Sequence, residues 1–391
     1  MEMFKPIRST YLPYGKQSID EDDIEAVVHV LKSDYLTTGP KINEFEKKIA
    51  DYVGATYAVA FSNGTAALHG ACFAAGISEG DEVITTPITF AASSNCVLYM
   101  GGKTIFADID EKTYNIDPHE IEKKITNKTK AIIPVDYTGQ PAALDEILEI
   151  ARNNELIVIE DAAHALGASY KGKKVGSLSD MTMFSFHPVK HITCGEGGVI
   201  TTDRKDLYEK LLMFRSHGIT RNKQQLIEDH GPWYYEMQCL GYNYRMTDIQ
   251  AALGVSQMNK LDQFVQLRRK YAEMYTEAFQ ETKEIEIPYQ HSDGQSSWHL
   301  YVIRLKPDLL SVSRKEIYES LQSQNIGVNV HYIPVYLLPY YQQLGYQKGF
   351  CPRAERLYQE IISLPLFPAM TEKDVQDVIQ AVKRTVQHYA T

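Results

Sequence analysis

The chain has 391 residues, 44% of them hydrophobic and 23% charged, and 40 Lys+Arg against 50 Asp+Glu give a formal net charge of −10. Such a length accommodates roughly two or three domains, or one large α/β body with a smaller companion, and the acidic balance argues against nonspecific binding to nucleic acid or to an anionic membrane. Cys72, Cys96, Cys194, Cys239 and Cys351 are scattered with no C-x-x-C pair, the N-terminus lacks a signal-type apolar core, and no apolar run reaches membrane length, so neither a disulfide framework nor a metal site is expected and a cytoplasmic setting is.

In chain order, residues 43–53 place Phe45, Ile49 and Tyr52/Val53 on one helical face. Ala58-Val59-Ala60-Phe61 reads as a buried strand, residues 65–73 as an Ala-rich helix, 82–85 as a strand ended by Pro87, and 104–107 as another strand. Strands over 131–135, 156–160, 181–186 and 199–202 continue the series, with helices such as 143–153 between several of them. Near-continuous apolar strands alternating with helices predict an α/β fold with a mostly parallel central sheet covered by helices on both faces. Ligands of such sheets collect outside the carboxyl ends of the strands. The pattern changes near residue 255: 258–279 reads as a long charged helix, 301–305, 314–325 and 328–332 suggest a smaller α+β unit, and 375–389 is a closing amphipathic helix. The expected division is a large domain over 13–257 and a small C-terminal domain over 258–391, with segment 1–12 packing on the latter.

Two strand ends carry the chemistry. Val158-Ile159-Glu160-Asp161 ends in a carboxylate, and Phe184-Ser185-Phe186-His187-Pro188-Val189-Lys190 leads from a strand to an amine, followed by Gly195-Glu196-Gly197-Gly198. Each alone fits a helix-capping Asp or a solvated Lys. Together they are what pyridoxal 5'-phosphate (PLP) chemistry asks for: a Lys amine that forms a Schiff base with the cofactor aldehyde, and an Asp that keeps the pyridine nitrogen protonated so the ring withdraws electrons. Ser62-Asn63-Gly64-Thr65-Ala66-Ala67-Leu68 follows a strand and opens a helix, where free N–H groups, a Gly and a Thr hydroxyl suit a phosphate, although the same residues make ordinary helix caps. Ser185 is a candidate second phosphate hydroxyl. Phe90 is a candidate for stacking on a flat ring and His164 for contact with the ring hydroxyl; a core aromatic and a structural histidine are the plainer alternatives.

These motifs, with Tyr35-Leu36-Thr37-Thr38-Gly39-Pro40 and Gly241-Tyr242-Asn243-Tyr244-Arg245-Met246, make the chain resemble the DegT/DnrJ/EryC1/StrS family of sugar-nucleotide aminotransferases over nearly its whole length. The resemblance implies fold-type I, PLP as cofactor, Lys190 as the covalent and proton-shuttling amine, and Asp161 as partner of the pyridine nitrogen. It further implies a phosphate site at Gly64, Thr65 and Ser185, Phe90 on the ring, and His164 near the ring hydroxyl. Asn243 would reach the phosphate in the neighbouring subunit of a homodimer with shared active sites, His331 and Tyr332 would line the sugar-nucleotide side, and Arg245 is a candidate for a substrate phosphate. Asn63 stands where the family often has Ser; either side chain caps a helix. Within the family, Val135-Asp136-Tyr137-Thr138-Gly139, Phe214-Arg215-Ser216-His217-Gly218 and Val330-His331-Tyr332-Ile333-Pro334-Val335-Tyr336 are similar to the branch serving pseudaminic acid synthesis. That branch implies a UDP-linked 4-keto-6-deoxy-N-acetylhexosamine as acceptor and L-glutamate as donor. The alternatives are another nucleotide keto-sugar (dTDP- or GDP-linked, or aminated at C3), a PLP-dependent sugar dehydratase, which carries His in place of the Lys190 found here, and a non-catalytic regulatory relative.

Overall fold

The computed structural model describes residues 4–228 and 230–391. Helix α1 (Glu21–Leu31) opens on a capping box in which Asp20 and Asp23 exchange side-chain and backbone bonds. Then follow α2 (Pro40–Val53), β1 (Tyr57–Phe61), α3 (Gly64–Ala74), β2 (Glu82–Thr85), α4 (Ala92–Tyr99), β3 (Lys103–Phe106), β4 (Thr129–Ile133), α5 (Leu144–Asn153), β5 (Ile157–Asp161), β6 (Met181–Ser185), β7 (Gly198–Thr202), α6 (Lys205–Phe214) and α7 (Asp248–Met258). The seven strands form one sheet in the order β1-β7-β6-β5-β4-β2-β3. Only β7 runs against its neighbours; the pairs β6-β5, β5-β4, β4-β2 and β2-β3 are parallel. Alternation along the strands loads both faces. Ala58, Ala60, Phe184 and Phe186 join Phe45, Ile49 and Phe264 on one side, while Val59, Phe61, Met181 and Met183 join Leu68, Leu211 and Phe214 on the other. Each fully buried side chain of this size contributes about 1.5–3 kcal/mol.

Register decides where the loops emerge. Phe61 and Ser185 both pair with Gly198, and Asp161 pairs with Met183, so β1, β5 and β6 end together at one edge of the sheet. The segments 62–64, 162–164 and 186–190 therefore leave from neighbouring points.

Beyond α7 the chain turns at Asn259–Lys260 and continues as α8 (Leu261–Phe279). Lys260 is held there by the buried Asp23 (2.8 Å) and by Asp20. The helix expected over 258–279 is thus preceded by a separate one, started by a Thr247–Gln250 capping box that the sequence reading passed over. Strands β8 (Ile285–Glu286), β9 (Tyr301–Leu305) and β10 (Ile361–Leu364) form a three-stranded antiparallel sheet, in the order β8-β9-β10, with α9 (Arg314–Ser323) and the closing α10 (Glu372–His388). Tyr275, Tyr301, Ile303, Leu321, Ile362 and Val378 share its core, and Leu12 joins them, bridging Ile326. Arg8 pairs with Asp374 (2.6 Å) and Asp377 (2.7 Å), so the described part of segment 1–12 lies on the C-terminal unit; residues 1–3 fall outside the described residues.

Residues 328–332 do not form a regular strand. One bridge, Asn329 with Ser363, is made; the His331 carbonyl is taken by the Tyr137 hydroxyl instead of by a ladder. Among the described residues no helix is long and apolar enough to cross a membrane, and all five cysteines are free thiols.

Candidate active site

Asp161 ends β5 and is almost fully buried. Its two oxygens have different partners: Ser93 Oγ donates to Oδ2 (2.6 Å) and the Ala163 N–H to Oδ1 (3.1 Å). Ser93 is itself held by Thr89 (2.7 Å), so α4 orients the carboxylate from the side of β2. Burial raises the Asp161 pKa against the opposing effect of Ser93, Ala163 N–H and Lys190. A buried carboxyl whose charge is disfavoured gains most from a cation brought to it. Below it, Asp136 and Glu160 are both buried and both raised in pKa, chiefly by burial. Asp136 Oδ1 accepts the Ala142 N–H (2.9 Å), and Glu160 Oε2 accepts Ser179 (3.0 Å) and Thr182 (2.9 Å), while Asp136 Oδ2 and Glu160 Oε1 are buried without a hydrogen-bond partner among the described residues.

Lys190 lies in the loop after β6, its N–H bonded to the His187 carbonyl (2.9 Å). The side chain is partly accessible at the edge of the site, yet protein surrounds its amine, and this burial lowers the pKa to about 8. Asp161 opposes the shift and the charge of Arg268 adds to it. Among the described residues Lys190 makes no ion pair; the polar side-chain atom within bonding distance of Nζ is His299 Nε2, at 3.5 Å. The amine therefore gives up its proton far more readily than an ordinary lysine, as a nucleophile or proton acceptor requires.

The N-terminus of α3 faces the same edge. Asn63 caps it, its Oδ1 accepting the Ala66 N–H (2.8 Å), and the first helical N–H groups, at Gly64 and Thr65, have no intrahelical partner. A Cβ built on Gly64 would stand 3.4 Å from Ser185 Oγ, so the helix start and the Ser185 hydroxyl converge on one spot. Such a helix start with a hydroxyl beside it suits a phosphate. Across the cleft, Phe90 is 63% exposed, an open aromatic face at the mouth of the site. His164 is buried, and Tyr332 Oη lies 3.1 Å from its Nε2. Burial and the charge of Lys190 hold the His164 imidazole neutral.

The fold thus brings together Gly64, Thr65, Phe90, Asp161, His164, Ser185, Lys190 and Tyr332. His331 is buried, with Nδ1 2.8 Å from Ser363 Oγ, so its imidazole faces the small sheet while the next residue faces the cleft. Arg245 pairs through its backbone with Phe61, and Asn243 pairs likewise with Ser216 and is exposed. Sequence reasoning missed Ser93, Arg268 and His299. Ser93 sits in the first turn of α4, three residues past Phe90, and belongs to no motif that would have singled it out. A buried carboxyl oriented by Ser93, an amine of lowered pKa, an open aromatic face and a phosphate-type helix start form a set that fits PLP.

Comparison with known proteins agrees. The model of the DegT/DnrJ/EryC1/StrS aminotransferase family matches residues 17–383. The chain is 43% identical to the spore coat polysaccharide biosynthesis protein SpsC of Bacillus subtilis, over 97% of this chain and 98% of that one. It is 38% identical to the UDP-4-amino-4,6-dideoxy-N-acetyl-beta-L-altrosamine transaminase of Campylobacter jejuni, over 94% of this chain and 95% of that one. Helicobacter pylori PseC, an aminotransferase involved in the biosynthesis of pseudoaminic acid, superposes with a TM-score of 0.90 at 33% identity, covering 97% of this chain and 100% of its own. Similar solved structures include PLP and PMP forms. The chain belongs to the DegT/DnrJ/EryC1/StrS aminotransferase family and is a PLP-dependent sugar aminotransferase of fold-type I.

Proposed function

We propose that this enzyme moves the amino group of L-glutamate to C4 of a UDP-linked 4-keto-6-deoxy-N-acetylhexosamine (UDP-2-acetamido-2,6-dideoxy-beta-L-arabino-hexos-4-ulose), a step of pseudaminic acid biosynthesis. The observation that carries the amino-transfer reading is the convergence of Lys190, Asp161 and the Gly64–Ser185 spot at one sheet edge. The choice of sugar is supported by likeness to the Campylobacter transaminase and to PseC.

PLP, when bound, supplies an aldehyde and an electron-withdrawing ring. In this reading the N–H groups at Gly64 and Thr65 and the Ser185 hydroxyl hold its phosphate, and Phe90 covers its ring. Asp161, oriented by Ser93, keeps the proton on the ring nitrogen. Lys190 holds the cofactor and then takes and returns the proton at the donor's Cα; at the C4 centre of the sugar it performs the same transfers in reverse order. His164, held neutral and bonded to Tyr332, lies beside the ring hydroxyl. His331, Tyr332 and Arg245 serve the sugar-nucleotide side, with Tyr332 the one of these facing the cleft.

On the same reading residues 13–257 are the cofactor-binding body and 258–391 the smaller domain, the enzyme works in the cytoplasm, and it is a homodimer. Ile227, Trp233, Met237 and Leu240 are each more than 60% exposed and lie near Asn243 along the chain. An apolar group of this kind fits a subunit interface, one that would carry Asn243 to the partner's phosphate.

A second reading, amination of another nucleotide keto-sugar, is favoured by the higher identity to the spore coat protein. A panel of UDP-, dTDP- and GDP-linked 4-keto and 3-keto sugars with glutamate separates the two. The proposal expects the UDP-4-keto-6-deoxy-N-acetyl sugar to be aminated fastest, with the product configuration read by NMR; preference for another nucleotide or for C3 would replace it.

A further inference from the structure

His299 is delivered to Lys190 by a backbone that does not relax into an ordinary strand entry. Trp298, just before it, has φ 53°, in the left-handed region that a bulky aromatic avoids. Several bonds hold it there. Ser296 Oγ accepts the Trp298 N–H (3.0 Å), and Ser297 donates its hydroxyl to the His164 carbonyl (3.0 Å) and its N–H to the Gly139 carbonyl (3.1 Å). The Leu300 N–H reaches the Thr138 carbonyl (3.2 Å). The completely buried Arg268 donates from Nη1 to the carbonyls of Trp298 (3.4 Å), His299 (3.1 Å) and Leu366 (2.7 Å). A strained conformation that so many contacts enforce points to a function for the residue it aims.

The residue aimed is an imidazole in the interior, 4% exposed, its ring 4.3 Å from that of His164 and its Nε2 3.5 Å from Lys190 Nζ. Nδ1 has no hydrogen-bond partner, so the polar work of the ring is done through Nε2. We propose that His299 is the positioning residue of the transfer lysine: its Nε2 accepts one N–H of Lys190 and thereby fixes where the remaining protons and the lone pair of Nζ point. An acceptor suits both states of the amine, because NH2 and NH3+ each have a hydrogen to give. Burial, with the charge of Lys190, keeps His299 neutral and so able to accept. Arg268 sets the position of the ring through its backbone, without touching the amine.

The inference rests on the assignment of Lys190 above. Borohydride reduction of the PLP-loaded wild type, followed by peptide mass spectrometry, checks that assignment alone, since label on another residue removes Lys190 whatever His299 does. His299 is then tested with His299→Phe, which keeps the ring shape and removes the acceptor, and His299→Gln, which restores one. The first readout is the pH midpoint for trapping PLP on the apo-enzyme lysine. Burial brings the amine pKa down to about 8, and the wild-type midpoint is expected there. Asp161, His164, His191, Arg268 and His331 interact electrostatically with the same amine and are unchanged in the variants. Loss of an acceptor disfavours the ammonium, so the midpoint falls in His299→Phe by about one pH unit. The second readout, the single-turnover half-reaction with glutamate, slows in this variant by about tenfold or more. His299→Gln recovers most of both. A His299→Phe enzyme with an unmoved midpoint and a wild-type half-reaction overturns the proposal. So does a folded His299→Gln enzyme as impaired as His299→Phe, because the ring and not the acceptor would then be what matters.

Discussion

At the scale of single residues, the proposed reaction rests on two side chains, Lys190 and Asp161, with the others holding them. Lys190→Ala should reduce transamination by about a thousandfold or more, while the purified variant keeps its fold and some noncovalent PLP, because the helix start at Gly64 and the carboxylate of Asp161 remain. Steady-state assay beside circular dichroism checks this, and a variant with most of its activity would remove Lys190 from its role. Asp161→Asn preserves shape but lets the ring nitrogen lose its proton, so turnover should fall by about a hundredfold or more at full cofactor loading. A near-normal rate constant with the cofactor fully loaded contradicts that. Lys190 and Asp161 were legible in the sequence because each sits at the end of an apolar run, where a charged group has to be explained. Ser93 and His299 were not. A serine inside a helix looks like any other, and His299 is carried to Lys190 across 109 residues by tertiary folding alone.

At the scale of elements, the site depends on how closely β7 approaches the start of α3. A Cβ on Gly198 would lie 2.5 Å from the Asn63 carbonyl oxygen and 2.8 Å from Gly64 Cα, and both are backbone atoms with nowhere to go. Gly198→Ala should therefore push the phosphate loop outward, costing about 1–3 kcal/mol of stability and weakening PLP binding, although residue 198 has no chemical part in the site. Cofactor titration and thermal melting measure both, and an unchanged affinity would show that the loop tolerates the shift. The strands over 82–85 and 301–305 were readable to the residue, since turn signals bound each apolar run. Helices α1, α4, α6 and α7 were passed over. In α4 and α7 the hydrophobic face is diluted by buried Ser93 and Ser94, and by buried Asp248 and Gln257, whose partners lie on other elements. Segment 328–332 carries a strand-like composition, but its polar groups are taken one at a time: the Val330 N–H by the Asn329 side chain, the His331 ring by Ser363 and the His331 carbonyl by the Tyr137 hydroxyl.

At the scale of the whole molecule, one sheet edge gathers the groups, the C-terminal unit brings Tyr332 and His299 to it, and the proposed homodimer would place its interface at the exposed Ile227, Trp233, Met237 and Leu240. If Asn243 serves the partner's cofactor, chains carrying Lys190→Ala and Asn243→Ala, each inactive alone, should regain part of the activity when co-expressed, because one site of each mixed dimer escapes both changes. No rescue in a verified heterodimer would mean that each site is built within one chain. The central claim, that Lys190 and its surroundings move nitrogen from glutamate to C4 of a nucleotide-linked keto-sugar, is tested most directly with 15N-glutamate and the UDP-4-keto-6-deoxy-N-acetyl sugar. NMR of the isolated product should show 15N bonded at C4, in the wild type and not in Lys190→Ala. Label that stays in glutamate with PLP-loaded wild type, or that reaches the sugar equally well without the Lys190 amine, would contradict the account.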